Sequence, residues 1–190
     1  MNKEIKVIPV TFKKRGQYGD FAWMIEQSEY QNSILIFNDN IEQHNTPIPG
    51  CGSSVIRQYN QHSSLLIPRS YGIPTSSNGR GFQNSLDGTM NILNFVAIEE
   101  LKRLIKKHDY DTLYFPVKDE DKLFDCGIFD VYSNVRRAIS YSLEIISYLD
   151  NESYLEYIQN YIVRFRWIDC SCDLFESNQM ELYKQKLNYN

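Results

Sequence analysis

The chain has 190 residues, enough for one well-buried core and too few for two full domains. Its 42% hydrophobic and 14% aromatic content, with 14 tyrosines, excludes a disordered chain. A net charge of −4 and a pI near 5.4 argue against a nucleic-acid backbone binder, which carries a basic excess. The one locally basic run, residues 101–107, reads as the wet face of an amphipathic helix. Cys51, Cys126, Cys170 and Cys172 lack the spacing of a zinc site, so no metal is expected and the thiols read as structural or incidental. The start MNKEIKV has no apolar signal core and no run is long enough to span a bilayer. The expectation is a cytoplasmic protein with neither a nucleic-acid nor a membrane partner.

In chain order, residues 4–10 read as a first strand and 21–30 as a short helix. Ser33–Phe37 is a second, buried strand that runs into the polar trio Asn38-Asp39-Asn40 and a loop to Pro49. Gly50-Cys51-Gly52-Ser53-Ser54 is a glycine turn opening a short helix over Ser53–His62, with Ser53 or Ser54 as its cap. Ser64–Ile67 and Tyr71–Ile73 are brief strand candidates separated by Pro68, and residues 74–92 read as a long loop.

Ile98, Leu101, Leu104 and Ile105 share a helical face that ends near His108, and Asp111–Val117 is a further strand. After a loop over Lys118–Tyr132, the 3–4 spacing predicts a helix at Asn134–Leu149. Asn151–Phe165 repeats that spacing, and Met180–Leu187 suits a last helix. Tyr154, Tyr157 and Tyr161 fall on one face, which suits packing or a homodimer contact more than base stacking.

Three polar or glycine-bearing segments each follow a strand: Asn38–Ser54, Tyr71–Gly81 and Cys126-Gly127-Ile128-Phe129. In an open α/β sheet, ligands bind beyond the carboxyl ends of the strands, so the three segments are expected to line one cleft. Gly50 and Gly52 permit close approach of backbone to ligand, and the helix start offers N–H groups to a phosphate. The Asn38 and Asn40 amides both donate and accept, as ribose hydroxyls require. The same trio also suits a capped turn, and the glycines a tight helix entry. His44 and His62 flank the turn, and either is suited to general-base work, although most such loop histidines are simply solvated. Cys51 and Cys126 would sit on the cleft, but no base is evident beside either. The chain has no GxxxxGK[ST] and no GxSxG, and it matches GxGxxG only in part.

The order of these segments resembles the macro domain, the ADP-ribose-binding module, in a divergent form of the kind found in phage proteins. Ile34–Asn40 resembles the family's strand ending in Asn-Ala-Ala-Asn, and Gly50–Ile56 its glycine turn and helix start. Gly72-Ile-Pro-Thr75 is similar to its Gly-x-x-x-Thr segment. Thr112–Pro116 with Cys126–Phe129 resembles its Phe-Pro strand and phosphate loop. The Asn segment is one residue short, Cys51 and Asp130 replace glycines, and the loop after Pro116 is longer.

The resemblance implies a three-layer α/β/α fold with a mixed central sheet over residues 1–150. Residues 151–190 would be a helical extension packed on the same domain. It implies an ADP-ribose-type ligand and no cofactor. Asn40 would contact the distal ribose and orient a water; His44, from its place beside the turn, is the candidate base. Asn38, Asp39, Cys51, Ser54, Gly72 and Thr75 would line the cleft. Gly50, Gly52 and Ser53 would border ribose and pyrophosphate, and Gly127, Ile128 and Phe129 would wrap the diphosphate, beside Cys126. Asp20, in a Gly-Asp pair, would read adenine. The implied activity is hydrolysis of a phosphate or ADP-ribosyl bond at the distal ribose. The alternative is a viral sponge that sequesters a cyclic ADP-ribose-like immune signal without turnover.

Overall fold

The computed structural model describes residues 5–13, 15–82, 88–119, 121–125 and 129–146. All of them belong to one unit, Met1–Ser147. The helices expected at 151–165 and 180–187 lie outside these residues, as do Cys126, Gly127 and Ile128. The described elements are β1 (Lys6–Thr11), α1 (Phe21–Met24), β2 (Ser33–Asn40), β3 (Ser70–Ser77), β4 (Arg80–Gly81), α2 (Gly88–His108), β5 (Thr112–Val117) and α3 (Ser133–Ile145). Short 3-10 turns occupy Ser28–Tyr30 and Ile41–Gln43, and a longer 3-10 helix spans Gly52–Tyr59.

The strands form a mixed sheet in the order β1-β5-β2-β3-β4. β1, β5, β2 and β3 are parallel, and only β4 runs antiparallel, against β3. β2 is central, and a strand covered on both faces must be apolar without alternation. Ile34, Leu35, Ile36 and Phe37 are accordingly 0% exposed. Each such side chain contributes about 1.5–3 kcal/mol by burial.

Leu35 and Phe37 pack with Phe21 and Met24 of α1, Ile25 beyond it, and Val55 and Ile56 of the 3-10 helix. β3 divides its side chains between two layers in the same alternating way. Ser70 donates to the Ile56 carbonyl at 2.8 Å, while the hydroxyl of the next residue, Tyr71, reaches Glu100 of α2 at 2.9 Å.

Several expected boundaries are corrected. The helix over 21–30 is one turn, α1, followed by a 3-10 turn. Phe21, Met24 and Ile25 are its buried apolar residues, with Ala22, Trp23 and Tyr30 only partly covered. Ser64–Ile67 is not a strand; its Leu66 is 94% exposed. The brief Tyr71–Ile73 strand is the eight-residue β3, which runs through Pro74. A proline is tolerated there because β4 pairs only Ser76 and Ser77, which leaves Pro74 on an edge stretch.

The expected loop over 74–92 holds a hairpin. Asn78 and Gly79 both have positive φ, +50° and +72°, which suits the two-residue turn joining β3 to β4. α2 then begins at Gly88, ten residues before Ile98. No helix among the described residues is long and apolar enough to cross a membrane.

Candidate functional site

The trio Asn38-Asp39-Asn40 forms the last three residues of β2, where the register against β3 shifts between Asp39 and Asn40. Parallel strands end on the same side of a sheet, so the ends of β2 and β3 meet. Thr75 and Ser76 of β3 donate their hydroxyls to the Asp39 carbonyl at 3.5 and 3.3 Å. The glycine turn reaches the same place. The Asn38 backbone N–H donates to Ser53 Oγ at 3.2 Å, and the Ser53 hydroxyl donates to Asn38 Oδ1. Ser53 is buried, so this pair seals the turn against the strand end.

The turn's glycines have local causes. Gly52 has φ +60°, a conformation that costs little only without a Cβ. At Gly50 a Cβ would run into the Ser54 side chain. Gly50 N–H donates to the Ser54 carbonyl at 2.9 Å, and Ser54 Oγ donates to the Cys51 carbonyl at 2.6 Å. The helix that follows is 3-10, Gly52–Tyr59, and does not extend to His62. Its N-cap position is Cys51, an exposed free thiol, and not Ser53 or Ser54. Both serine hydroxyls are used elsewhere, one across to β2 and one back along the turn.

A buried charge cluster sits under this junction. Arg57, only 1% exposed, donates from Nε and Nη2 to Asp39 Oδ1 at 2.8 and 2.6 Å. Its Nη1 donates to the Ile48 carbonyl at 2.8 Å and to Gln43 Oε1 at 3.0 Å, and the guanidinium lies 6.0 Å from the Phe37 ring centre. The other oxygen, Asp39 Oδ2, meets His44 Nδ1 at 3.1 Å. Gly72 makes room for this, since a Cβ there would collide with Asp39 Oδ2 and the Phe37 ring.

The His44 ring is met edge-on by His62 at 5.9 Å and Tyr71 at 6.2 Å between centres. Glu100 accepts from both Tyr71 and Gln61, at 2.9 Å each. Burial, then the Glu100 carboxylate, holds the Tyr71 hydroxyl well above its ordinary pKa. Partial burial, then His44, pushes His62 below the usual histidine value.

The remaining expected residues fall as follows. Asn40 Oδ1 accepts from the Glu42 N–H at 2.8 Å, capping the Ile41–Gln43 turn. Asp20 is buried and caps α1, accepting from Trp23 N–H at 2.7 Å and from Gly16 N–H. No hydrogen bond among the described residues ties it to the end of β2. Phe129 is half-buried, and it and Asp130 abut Gly81 of β4, where a Cβ would strike the Asp130 backbone. Residues 121–125 are clamped to α3. Arg136 pairs with the Asp121 carboxylate at 2.7 Å and lies 2.9 Å from Asp125 Oδ2, and Ser140 Oγ accepts from Phe124 N–H at 2.6 Å.

Sequence reasoning missed Arg57, Gln61 and Glu100, and placed Tyr71 only as the start of a cleft-lining segment. The only available signal was an arginine directly after the apolar pair Val55-Ile56, at a position on the buried side of the helix. Among the described residues no group of three or more His, Cys, Asp or Glu is arranged to hold a metal. The chain matches no protein-family model, and no curated protein and no solved structure is similar to it.

Proposed function

We propose that this chain is a divergent macro-type domain of three α/β/α layers that recognises ADP-ribose or a nucleotide derived from it. The proposed chemistry is hydrolysis at the distal ribose. The reading rests on one observation above all: the Ser53–Asn38 hydrogen bonds join the glycine turn to the end of a central parallel strand. Sugar-binding amides and phosphate-approaching backbone therefore share one rim, the usual ligand position in open α/β sheets. Asn40 Nδ2 is a donor for a ribose hydroxyl, and Gly52 lets the chain approach a diphosphate, while Gly50 makes room for the Ser54 side chain behind it.

In the hydrolytic step, the oxygen of a water forms a bond to the phosphorus or to the anomeric carbon. The bond to the leaving oxygen breaks, and that oxygen keeps the electron pair. His44 Nε2 takes the water's proton and returns it to the leaving oxygen. A cytoplasmic location goes with this proposed reading.

One observation favours binding without turnover, as in a sponge for a cyclic ADP-ribose-like signal. Asn40 Oδ1, the acceptor that would orient a water's proton, already gives one of its two lone pairs to the Glu42 N–H. The test is incubation with ADP-ribose, its 1″-phosphate and cyclic ADP-ribose isomers, with melting shifts followed by chromatography of the nucleotides. A shift with product supports the hydrolase. A shift with the nucleotide recovered intact supports the sponge, and no shift with any of them overturns both.

A further inference from the structure

We propose that Asp39, clamped by Arg57, is the positioning residue of His44. It holds the imidazole as the Nδ1–H tautomer, so that Nε2 is the proton acceptor of the site. This deepens the hydrolytic reading above and rests on it for its role in turnover, but the tautomer itself is a property of the free protein.

The geometry is asymmetric in a way that ion pairing alone does not require. Three donors converge on Asp39 Oδ1: Arg57 Nε, Arg57 Nη2 and the Asn40 backbone N–H at 2.8 Å. Oδ2 is left to face His44 Nδ1. The carboxylate cannot exchange its two oxygens freely. Arg57 is fixed by Ile48 and Gln43, and the space around Oδ2 exists only because residue 72 is glycine. An ionised carboxylate only accepts, so the proton between the two groups belongs to Nδ1. Among the described residues Nε2 makes no hydrogen bond, and the imidazole side chain is 19% exposed.

A buried arginine–carboxylate pair is often no better for stability than well-packed apolar residues, which leaves this one free for a task beyond folding. Orienting a histidine is such a task, because which ring nitrogen carries the proton is set by the bond the other one makes. The groups facing His44 are Asp39 from β2, Tyr71 from β3 and His62 beyond the 3-10 helix. Arg57 stands behind Asp39, and Glu100 of α2 stands behind Tyr71.

Asp39→Asn makes the idea testable. Arg57 must still receive an oxygen, so the amide nitrogen of the asparagine is turned toward His44 Nδ1. The amide donates, so His44 Nδ1 becomes the acceptor and carries no proton, and the tautomer inverts to Nε2–H.

The experiment is long-range 1H–15N correlation of the imidazoles in the 15N-histidine-labelled full chain, with the His44 signals assigned by their loss in His44→Gln. Nδ1–H in the wild type and Nε2–H in Asp39→Asn support the proposal. An Nε2–H form in the wild type, or an unchanged tautomer in a folded Asp39→Asn, overturns it. The wild-type spectrum alone decides the matter if the variant fails to fold. With ADP-ribose 1″-phosphate as substrate, kcat/KM of Asp39→Asn falls by about 10²–10⁴-fold, and the acidic limb of its pH profile moves. A wild type with the Nδ1–H form but no melting shift with any of the nucleotides removes the nucleotide reading and leaves the positioning assignment standing.

Discussion

Removing Arg57 is the sharpest test of the cluster beneath the site. Arg57→Met keeps much of the apolar stem but strips two of the three donors from Asp39 Oδ1 and one from the Ile48 carbonyl. The Asp39 side chain is 0% exposed, so water cannot replace them. A buried charge left without its partner costs about 3–5 kcal/mol. At about 2–4 °C per kcal/mol for a chain of this size, the melting temperature falls by roughly 6–20 °C.

Asp39→Asn alone is milder, about 1.5–3 kcal/mol, because Arg57 keeps the asparagine oxygen, the Ile48 carbonyl and Gln43 as acceptors. The decisive species is the double variant. It has no unpaired buried charge, so adding Asp39→Asn to Arg57→Met restores stability instead of lowering it further. Urea denaturation monitored by circular dichroism gives the three midpoints and slopes. Additive losses in the double variant, to within about 0.5 kcal/mol, would refute the coupling and with it the account of Asp39 as a clamped carboxylate.

Three further outcomes are expected. Gly72→Ala forces a methyl group against Asp39 and Phe37 and costs about 1–3 kcal/mol, read as a lowered melting temperature; an unchanged one contradicts the packing described. Ser53→Ala leaves the buried Asn38 N–H without an acceptor and costs about 1–3 kcal/mol, and it shrinks any melting shift given by ADP-ribose. His62 has a folded pKa lowered from 6.5, first by burial and then by His44, so below 6.5 the unfolded chain binds more protons than the folded one. Its contribution is therefore complete above pH 6.5 and is lost as pH drops through the lower folded value. Melting curves from about pH 5 to about pH 8 should show a shallower acid limb in His62→Gln, and identical limbs would contradict the shift.

The sequence was legible where the physics is local. An all-apolar run of four residues specifies a doubly covered strand, and its polar terminus marks where that strand leaves the core. A positive-φ glycine beside small polar residues specifies a turn, and so the order of amide trio, glycine turn and β3 segment could be read along the chain. Asn78-Gly79 is equally local, a dipeptide suited to a two-residue hairpin turn.

Other features depend on what each element meets in space. Gly52–Tyr59 winds as a 3-10 helix whose Ser53 hydroxyl finds its partner on a strand 15 residues away. Pro74 inside a strand is tolerated only because β3 lies bare at that point of its edge.

By itself the sequence determined that the chain is an α/β protein with a buried central strand and a polar, glycine-rich connection after it. Hydrophobic burial and backbone sterics act residue by residue, and they write themselves into composition and spacing. Tertiary structure alone decided that Arg57 crosses 18 residues to hold Asp39, that Asp39 holds His44, and that residue 72 must lack a side chain for both to fit. Those arrangements depend on side-chain direction and on the few ångströms left between packed strands. No one-dimensional pattern encodes either.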